Sequence, residues 1–479
     1  MGKPTGFMEF SRKEPGYRPQ EKRLMDYRAV ELMLEEKDVY EQAARCMDCG
    51  IPFCHGFGCS LSNVIPEFNE LVYRGNWQKA LDILLSTNNF PEFTGRLCPA
   101  PCEAACIAGI NGEPVTIRQI ELAIIEKGFE KGYIRPSPPR SYFNERIAVI
   151  GAGPAGLAVA DTLNKAGYRI TVFDSAKLPG GLLRYGIPDF KLEKWVIDRR
   201  IRLMEEEGVI FETGITAGKD ISYRYLKNRF DLICLACGSR IPRDLPIPGR
   251  ELTGIFFAMD YLSQQNKRDC GERIDPQKEI TASGKRVVIL GGGDTGSDCL
   301  GTALRQGAKD VYQFEILPKP PLERSESTPW PLWPLVLRDT HAHKEGGIRR
   351  WSMITKAFLG ENRILKKLRC AQVQWRAEQS NAQPVPIEKP GTEFEIDADM
   401  VILAMGFVSP ERNRLINELR IALDERGNVK ADHLHMTNVD KVFVAGDMAN
   451  GQSLIVSAIA DGRKTARGIM TYLANKKTD

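Results

Sequence analysis

Seven of the twelve cysteines in this chain fall between positions 46 and 106, an unevenness that a general use of thiols as small buried residues does not produce. Four of them, Cys46, Cys49, Cys54 and Cys59, lie within fourteen residues spaced by glycine, proline and small side chains, which let a chain wrap a compact object. The other three stand in Cys98-Pro-Ala-Pro-Cys102-Glu-Ala-Ala-Cys106. In a reducing compartment such a crowd indicates metal rather than disulfides. Zinc and iron–sulfur clusters both accept four sulfur ligands. Structural zinc uses two close pairs, whereas a tight CxxC, two further thiols after short loops and a second group beside prolines are typical of ferredoxin-like cluster loops. Cys102 and Cys106, four apart in a stretch with helical character, are expected to face one way. Seven thiols do not complete two sets of four, so either one cluster is absent or one iron takes a ligand other than cysteine.

The second chemistry is nucleotide binding. An apolar run from Ile147 meets Gly151, Gly153 and Gly156 in G-x-G-x-x-G spacing, with Pro154 and Ala155 opening a helix. Glycines so placed allow a tight turn, close approach to a pyrophosphate and packing of helix on sheet. Asp174 ends the next apolar strand, where a carboxylate accepts from ribose hydroxyls. The loop containing Gly180, Gly181 and Leu182 suits close approach of backbone to a flat ring. The same pattern recurs at Gly291, Gly293 and Gly296, with Asp294 and Thr295 inside it and Glu315 at the end of the following strand. Two such units imply two dinucleotides, as when a nicotinamide hands hydride to a flavin. A carboxylate at Glu315 favours NADH by repelling a 2′-phosphate, while Arg324 just beyond leaves room for NADPH. Gly446 and Asp447 end a further apolar strand, where the aspartate can accept from a flavin ribityl chain or act as a plain helix cap. Cys234 and Cys237 read as small buried residues, and the His341/His343 and His433/His435 pairs as surface residues.

These sites need elements to hold them. Amphipathic helix patterns occur around Tyr27–Leu34, Val39–Arg45, Asn76–Leu85 and Val115–Glu126, all before the proline-rich linker 135–140. The expected organisation is α/β: an α-helical iron–sulfur domain over 1–140, then two interleaved Rossmann-like dinucleotide-binding domains. The first part of the FAD domain covers 141–280, the NAD(P)H domain 281–404, and the segment 405–479 completes the FAD domain. The irregular stretch around Trp330 and Trp333 is expected as a lid over the nicotinamide or as a packed loop. With 66 basic and 62 acidic residues the net charge is +4, too small to suggest a nucleic-acid surface. No apolar run approaches the roughly 18 residues that a membrane span needs, and the chain reads as cytoplasmic.

Taken together, Cys-Met-Asp-Cys-Gly-Ile-Pro-Phe-Cys-His, Gly-Arg-Leu-Cys-Pro-Ala-Pro-Cys-Glu-Ala-Ala-Cys, Gly-Gly-Leu-Leu-Arg-Tyr-Gly-Ile-Pro and Ala-Gly-Asp447 resemble the small (β) subunits of glutamate synthase. That family lies within a wider group of flavin reductases that includes the N-terminal half of dihydropyrimidine dehydrogenase. The resemblance runs nearly end to end. It implies FAD at the first glycine loop, NADH or NADPH at the second, and two [4Fe–4S] clusters in the N-terminal domain. Carried over by position, Cys46, Cys49, Cys54 and Cys106 hold one cluster, and Cys59, Cys98 and Cys102 the other. The related dehydrogenase uses one non-cysteine ligand, for which Glu121 stands near the matching position and Gln119 is the alternative. NADPH-using members often carry paired arginines where this chain has Ile316-Leu317. The implied role is electron input: hydride from NAD(P)H to flavin, then single electrons through the clusters to a large subunit that makes glutamate from glutamine and 2-oxoglutarate. Two other readings share these residues. One is the flavin subunit of a ferredoxin-linked or electron-bifurcating oxidoreductase, and the other is a zinc-stapled nucleotide-binding regulator.

Overall fold

The computed structural model describes residues 2–376, 384–412 and 414–476. Its N-terminal part packs α1 (Glu36–Ala44), α2 (Ile65–Tyr73), α3 (Trp77–Thr87), α4 (Pro91–Leu97) and α5 (Ile117–Glu130) around Phe68, Leu84 and Ile120. Local chemistry sets the boundaries. Proline occupies the first turn of α2 and α4, and Asn76 caps α3 by accepting from the Lys79 N–H, one of the donors a helix start leaves unpaired. The helix expected over Tyr27–Leu34 is absent. That segment is extended, with Glu31 bridged to Tyr17 and the Val30 N–H given to the Phe190 carbonyl, so docking on the neighbouring domain overrides its periodicity.

Two five-stranded sheets follow. The strands in chain order are β1 (Arg146–Ile150), β2 (Arg169–Asp174), β3 (Ile210–Thr213), β4 (Leu232–Leu235), β5 (Ile255–Phe257), β6 (Arg286–Leu290), β7 (Asp310–Phe314) and β8 (Ile348–Arg350). An antiparallel set comes next: β9 (Met353–Glu361), β10 (Ile364–Arg376), β11 (Val385–Glu388) and β12 (Phe394–Asp397). Then come β13 (Met400–Leu403) and β14 (Val442–Val444). The first sheet is parallel in the order β14-β4-β1-β2-β3, and the second is parallel in the order β5-β13-β6-β7-β8. In each, the strand before a glycine loop sits where the order reverses, the place at which open α/β sheets bind ligands. Apart from Arg146 and Arg286 at their starts, all residues of β1, β6 and β13 are apolar and buried, as strands covered on both sides require.

Ile255–Phe257, expected within the first nucleotide unit, is the edge strand of the second sheet. Its three residues are too short a run to be assigned without knowing that they pair with β13. The helical domain is not a free appendage. Phe90 and Phe93 are fully buried in the core of the first sheet, and Glu92 of α4 pairs with Arg200, both side chains almost wholly out of water.

Candidate functional site

The first glycine loop joins β1 to α6 (Pro154–Lys165), and the second joins β6 to α7 (Asp294–Arg305). Their glycines divide the work identically. A Cβ on Gly151 would lie 2.3 Å from the Ala236 carbonyl oxygen, and one on Gly156 would lie 1.9 Å from that of Gly151. The matching distances are 2.2 Å for Gly291 to Ala404 and 2.3 Å for Gly296 to Gly291. Gly153 and Gly293 face open space. The outer glycines therefore permit the turn and the packing, while the middle one leaves backbone bare where a pyrophosphate can approach a helix start. Pro154 and Ala155, and Asp294 and Thr295, form the first turns of the two helices.

Asp174 and Glu315 also match. Asp174 accepts from the N–H groups of Ala152 (2.7 Å) and Ala176 (2.8 Å), and Glu315 from those of Gly292 (2.7 Å) and Leu317 (2.9 Å). Each carboxylate braces its own glycine loop and keeps spare lone pairs at the loop edge. Gly181, at φ +53°, brings its Cα hydrogen face within reach of Gly153, since a Cβ there would lie 2.7 Å from the Gly153 Cα; Leu182 opens the next short helix, half exposed beside it. Gly446 abuts Ala155 and donates its N–H to Asp461. Asp447 accepts from the Ser453 hydroxyl at 2.6 Å, and its carboxyl is pushed up by burial. It does not act as the helix cap, because the cap position is Gly446.

None of the seven cysteines is in a disulfide, and they line two separate cavities. Cys46, Cys49, Cys54 and Cys106 line the first, with Asn69 and Phe53 in its wall. Cys59, Cys98 and Cys102 line the second together with Glu121, Asn63 and Arg118. Cys102 and Cys106 thus serve different cavities, not one face: the helix Pro101–Ala104 ends between them and the chain turns away. Glu121 on α5 reaches the second cavity, and Gln119 is not in its wall. Burial pushes the Cys59 thiol up to about 11, the Cys98 thiol to about 12 and the Glu121 carboxyl to about 7. It pushes the Cys54 and Cys102 thiols up as well. Anionic ligands enclosed in this way need a cation among them, which an iron core supplies. Among the described residues no three His, Cys, Asp or Glu side chains converge on a single metal ion. Arg118, held by Glu31, gives the second cavity a buried positive neighbour.

The stretch from 318 to 340 ties the two chemistries together. Trp330 packs against Phe53 with ring centroids 4.6 Å apart and ring planes tilted by 49°, and Arg324 donates to the Ala104 carbonyl at 3.2 Å. Of the two expectations, lid or packed loop, the residues form a packed loop against the cysteine-rich domain. Arg324 also donates to the carbonyls of Thr328 and Leu332, so its guanidinium anchors this loop. The loop ends in α8 (His341–Glu345), where the histidines expected at the surface are half-buried. His343 Nδ1 accepts from the Thr340 N–H, so its Nε2 donates to Gln313, which in turn donates to the Gly291 carbonyl. Spacing alone does not reveal this chain of bonds, since its partners are about thirty residues away. His433 is exposed, whereas His435 is half-buried against the Thr465 hydroxyl.

Two glycine-loop sheets joined to a helical domain with cysteine-lined cavities define a pyridine-nucleotide flavoprotein oxidoreductase with iron–sulfur centres. Residues 145–462 match the family model described as pyridine nucleotide-disulphide oxidoreductase, and residues 23–133 match that of dihydropyrimidine dehydrogenase domain II, 4Fe-4S cluster. The chain belongs to the glutamate synthase small-chain family. It is 52% identical over 99% of its length to the glutamate synthase [NADPH] small chain of Mycobacterium tuberculosis, covering 96% of that protein. It is 44% identical over 99% of its length to glutamate synthase [NADH] of Saccharomyces cerevisiae, of which it covers 22%. Among solved structures, FprA from Mycobacterium tuberculosis shares the fold at TM-score 0.57 and 18% identity, over 70% of this chain and 86% of that one. FAD, NAD(P)H and 4Fe–4S clusters are the cofactors of this enzyme, and the cluster model removes the zinc reading.

Proposed function

We propose that this chain is the electron-input subunit of a glutamate synthase, feeding a large subunit that makes glutamate from glutamine and 2-oxoglutarate. The observation that carries the reading is the placement of the second cysteine cavity. Its wall includes Val456 of α9 (Ile455–Lys476), and Ser60 beside it is hydrogen-bonded to Ser457. Helix α9 packs along α6, whose first turn is the first glycine loop. The yeast relative, in which the matching segment is about a fifth of a longer glutamate synthase, supports a partner that receives the electrons directly.

In this reading Gly151, Gly153 and Gly156 hold the FAD pyrophosphate, with Asp174, Gly181, Leu182, Gly446 and Asp447 round the rest of it. Gly291, Gly293 and Gly296, with Asp294, Thr295 and Glu315, hold NAD(P)H. Cys46, Cys49, Cys54 and Cys106 hold one cluster; Cys59, Cys98, Cys102 and Glu121 hold the other. With these groups bound, the two-electron oxidation of NAD(P)H is converted into single-electron transfers towards the partner. The protein contributes position: bare backbone and helix starts for the phosphates, carboxylates that fix the loops, and cavities in whose walls Cys46, Cys102 and Cys106 are buried. No side chain is assigned as a general acid or base.

The test is anaerobic purification followed by iron, sulfide and flavin analysis, separate titrations with NADH and NADPH, and co-expression with a glutamate synthase large chain. Bleaching of the flavin by a nicotinamide coenzyme, and glutamine-dependent glutamate formation only in the presence of both chains, are expected. A preparation that instead reduces ferredoxin and forms no complex with the large chain would sink the reading in favour of a ferredoxin-linked enzyme.

A further inference from the structure

Asn69 sits in the middle of α2, with none of its surface exposed, and its side chain forms part of the wall of the first cysteine cavity. Neither its amide nitrogen nor its carbonyl oxygen has a hydrogen-bond partner. A buried amide left in this state is costly, and native proteins keep few of them. The nearest chemistry is Cys46. Its thiol lines the same cavity wall as the Asn69 side chain.

The second cavity shows the opposite arrangement. Its asparagine, Asn63, is fully engaged: the amide donates to Glu121 at 2.6 Å, and the carbonyl oxygen accepts from the Thr87 hydroxyl at 2.8 Å. There a carboxylate enters the donor set, whereas the first cavity has four thiols and an uncommitted amide. Hydrogen bonds to cluster sulfur and the net charge of the ligands are the two levers that set a cluster's potential.

We propose that Asn69 is a positioning residue for the cluster of the first cavity, its amide N–H donating to a ligand or bridging sulfur and thereby raising that cluster's potential above that of its neighbour. The inference rests on the cluster assignment made above. A donor stabilises the more negative, reduced state; a carboxylate ligand destabilises it. The two cavities then form a step that moves electrons from the side of α9 towards the first cavity.

The experiment is a redox titration of the anaerobically purified full chain followed by electron paramagnetic resonance, on the parent, Asn69→Leu and Asn69→Asp. In Asn69→Leu the reduced-to-oxidised ratio of one cluster, at the potential where the parent is half reduced, is expected to fall about tenfold, a shift of roughly 59 mV. The other cluster, recognised as the one that moves in Glu121→Gln, stays in place. Asn69→Asp, which keeps the shape and loses the donor, shifts the same cluster at least as far and decides the matter if the leucine variant loads less iron. Unchanged potentials in the variants that load overturn the proposal, as does a failure of both variants to assemble that cluster, which would mark Asn69 as a packing residue. A parent lacking iron would sink the cluster assignment itself and is told apart by metal analysis before any variant is made.

Discussion

Asp174 and Glu315 end equivalent strands and spend their oxygens on the backbone of equivalent loops, yet they are expected to meet different riboses. In the proposed assignment Glu315 is the one whose charge would bear on the choice of coenzyme. Replacing it with glutamine keeps the length of the side chain and removes the repulsion of a 2′-phosphate. In Glu315→Gln the ratio of kcat/KM for NADPH to that for NADH should rise about tenfold, worth roughly 1.4 kcal/mol; an unchanged ratio would mean that the phosphate site lies elsewhere. At the second cavity, Cys102→Ser should lose half of the iron while retaining flavin, measured on the same sample. Loss of both cofactors would show instead that the helical domain folds only around its metal.

At the scale of the element, the two strand–loop–helix units make the sharpest forecast. Gly156→Ala puts a Cβ against the Gly151 carbonyl, where nothing flexible can give way, and should lower the melting temperature as well as the flavin content. Gly153→Ala meets only open space. It should leave the melting temperature near that of the parent while FAD affinity falls tenfold or more, because the methyl occupies ground that the pyrophosphate needs. A second forecast concerns α8. Burial, reinforced by Arg349, lowers His343 to about 4 from its ordinary 6.5, so the unfolded chain takes up a proton there before the folded one does. Stability should therefore decline as pH falls from about 6.5 to about 4 and level off below, and His343→Gln should flatten that slope in melting curves.

The same elements show what a sequence can carry. Three glycines at fixed spacing after an apolar run specify a turn and a helix start, and both loops were legible because that pattern lies within six residues, although the Ala236 and Ala404 carbonyls that exclude a side chain at Gly151 and Gly291 lie far along the chain. The division of the cysteines is different in kind: nothing in the spacing sends Cys106 to the cavity of Cys46 and Cys102 to that of Cys59, and only the resemblance to a family suggested it. The loop at Trp330 and the edge strand at Ile255–Phe257 were not legible, since their partners, Phe53 and β13, are more than a hundred residues distant. The bonds of His343 likewise depend on where β7 brings Gln313.

Across the whole molecule, the three parts are pinned by charges withheld from water. Glu345 of α8 takes Arg305 from α7, Arg23 from the N-terminal segment and His341 from its own helix, with none of its side chain exposed. Burial pushes its carboxyl up, but the bonds from His341 and Arg305 outweigh that and hold it at about 2. Because the folded value lies below the ordinary 4.5, the stabilisation is complete above about 4.5 and is lost as pH falls from there towards 2. Glu345→Gln should cost about 3–5 kcal/mol, as expected when one partner of a buried ion pair is removed, read as a lower denaturant midpoint at neutral pH. A variant as stable as the parent would show that the pin is redundant.

One helix, α9, reaches from the wall of the second cavity to the back of the first glycine loop, 22 residues without a break. A rod of that kind acts as a gauge. Electron tunnelling weakens steeply with each added ångström, so with FAD at the first glycine loop and a cluster in the second cavity, as proposed above, a single stiff element sets the spacing on which that transfer depends.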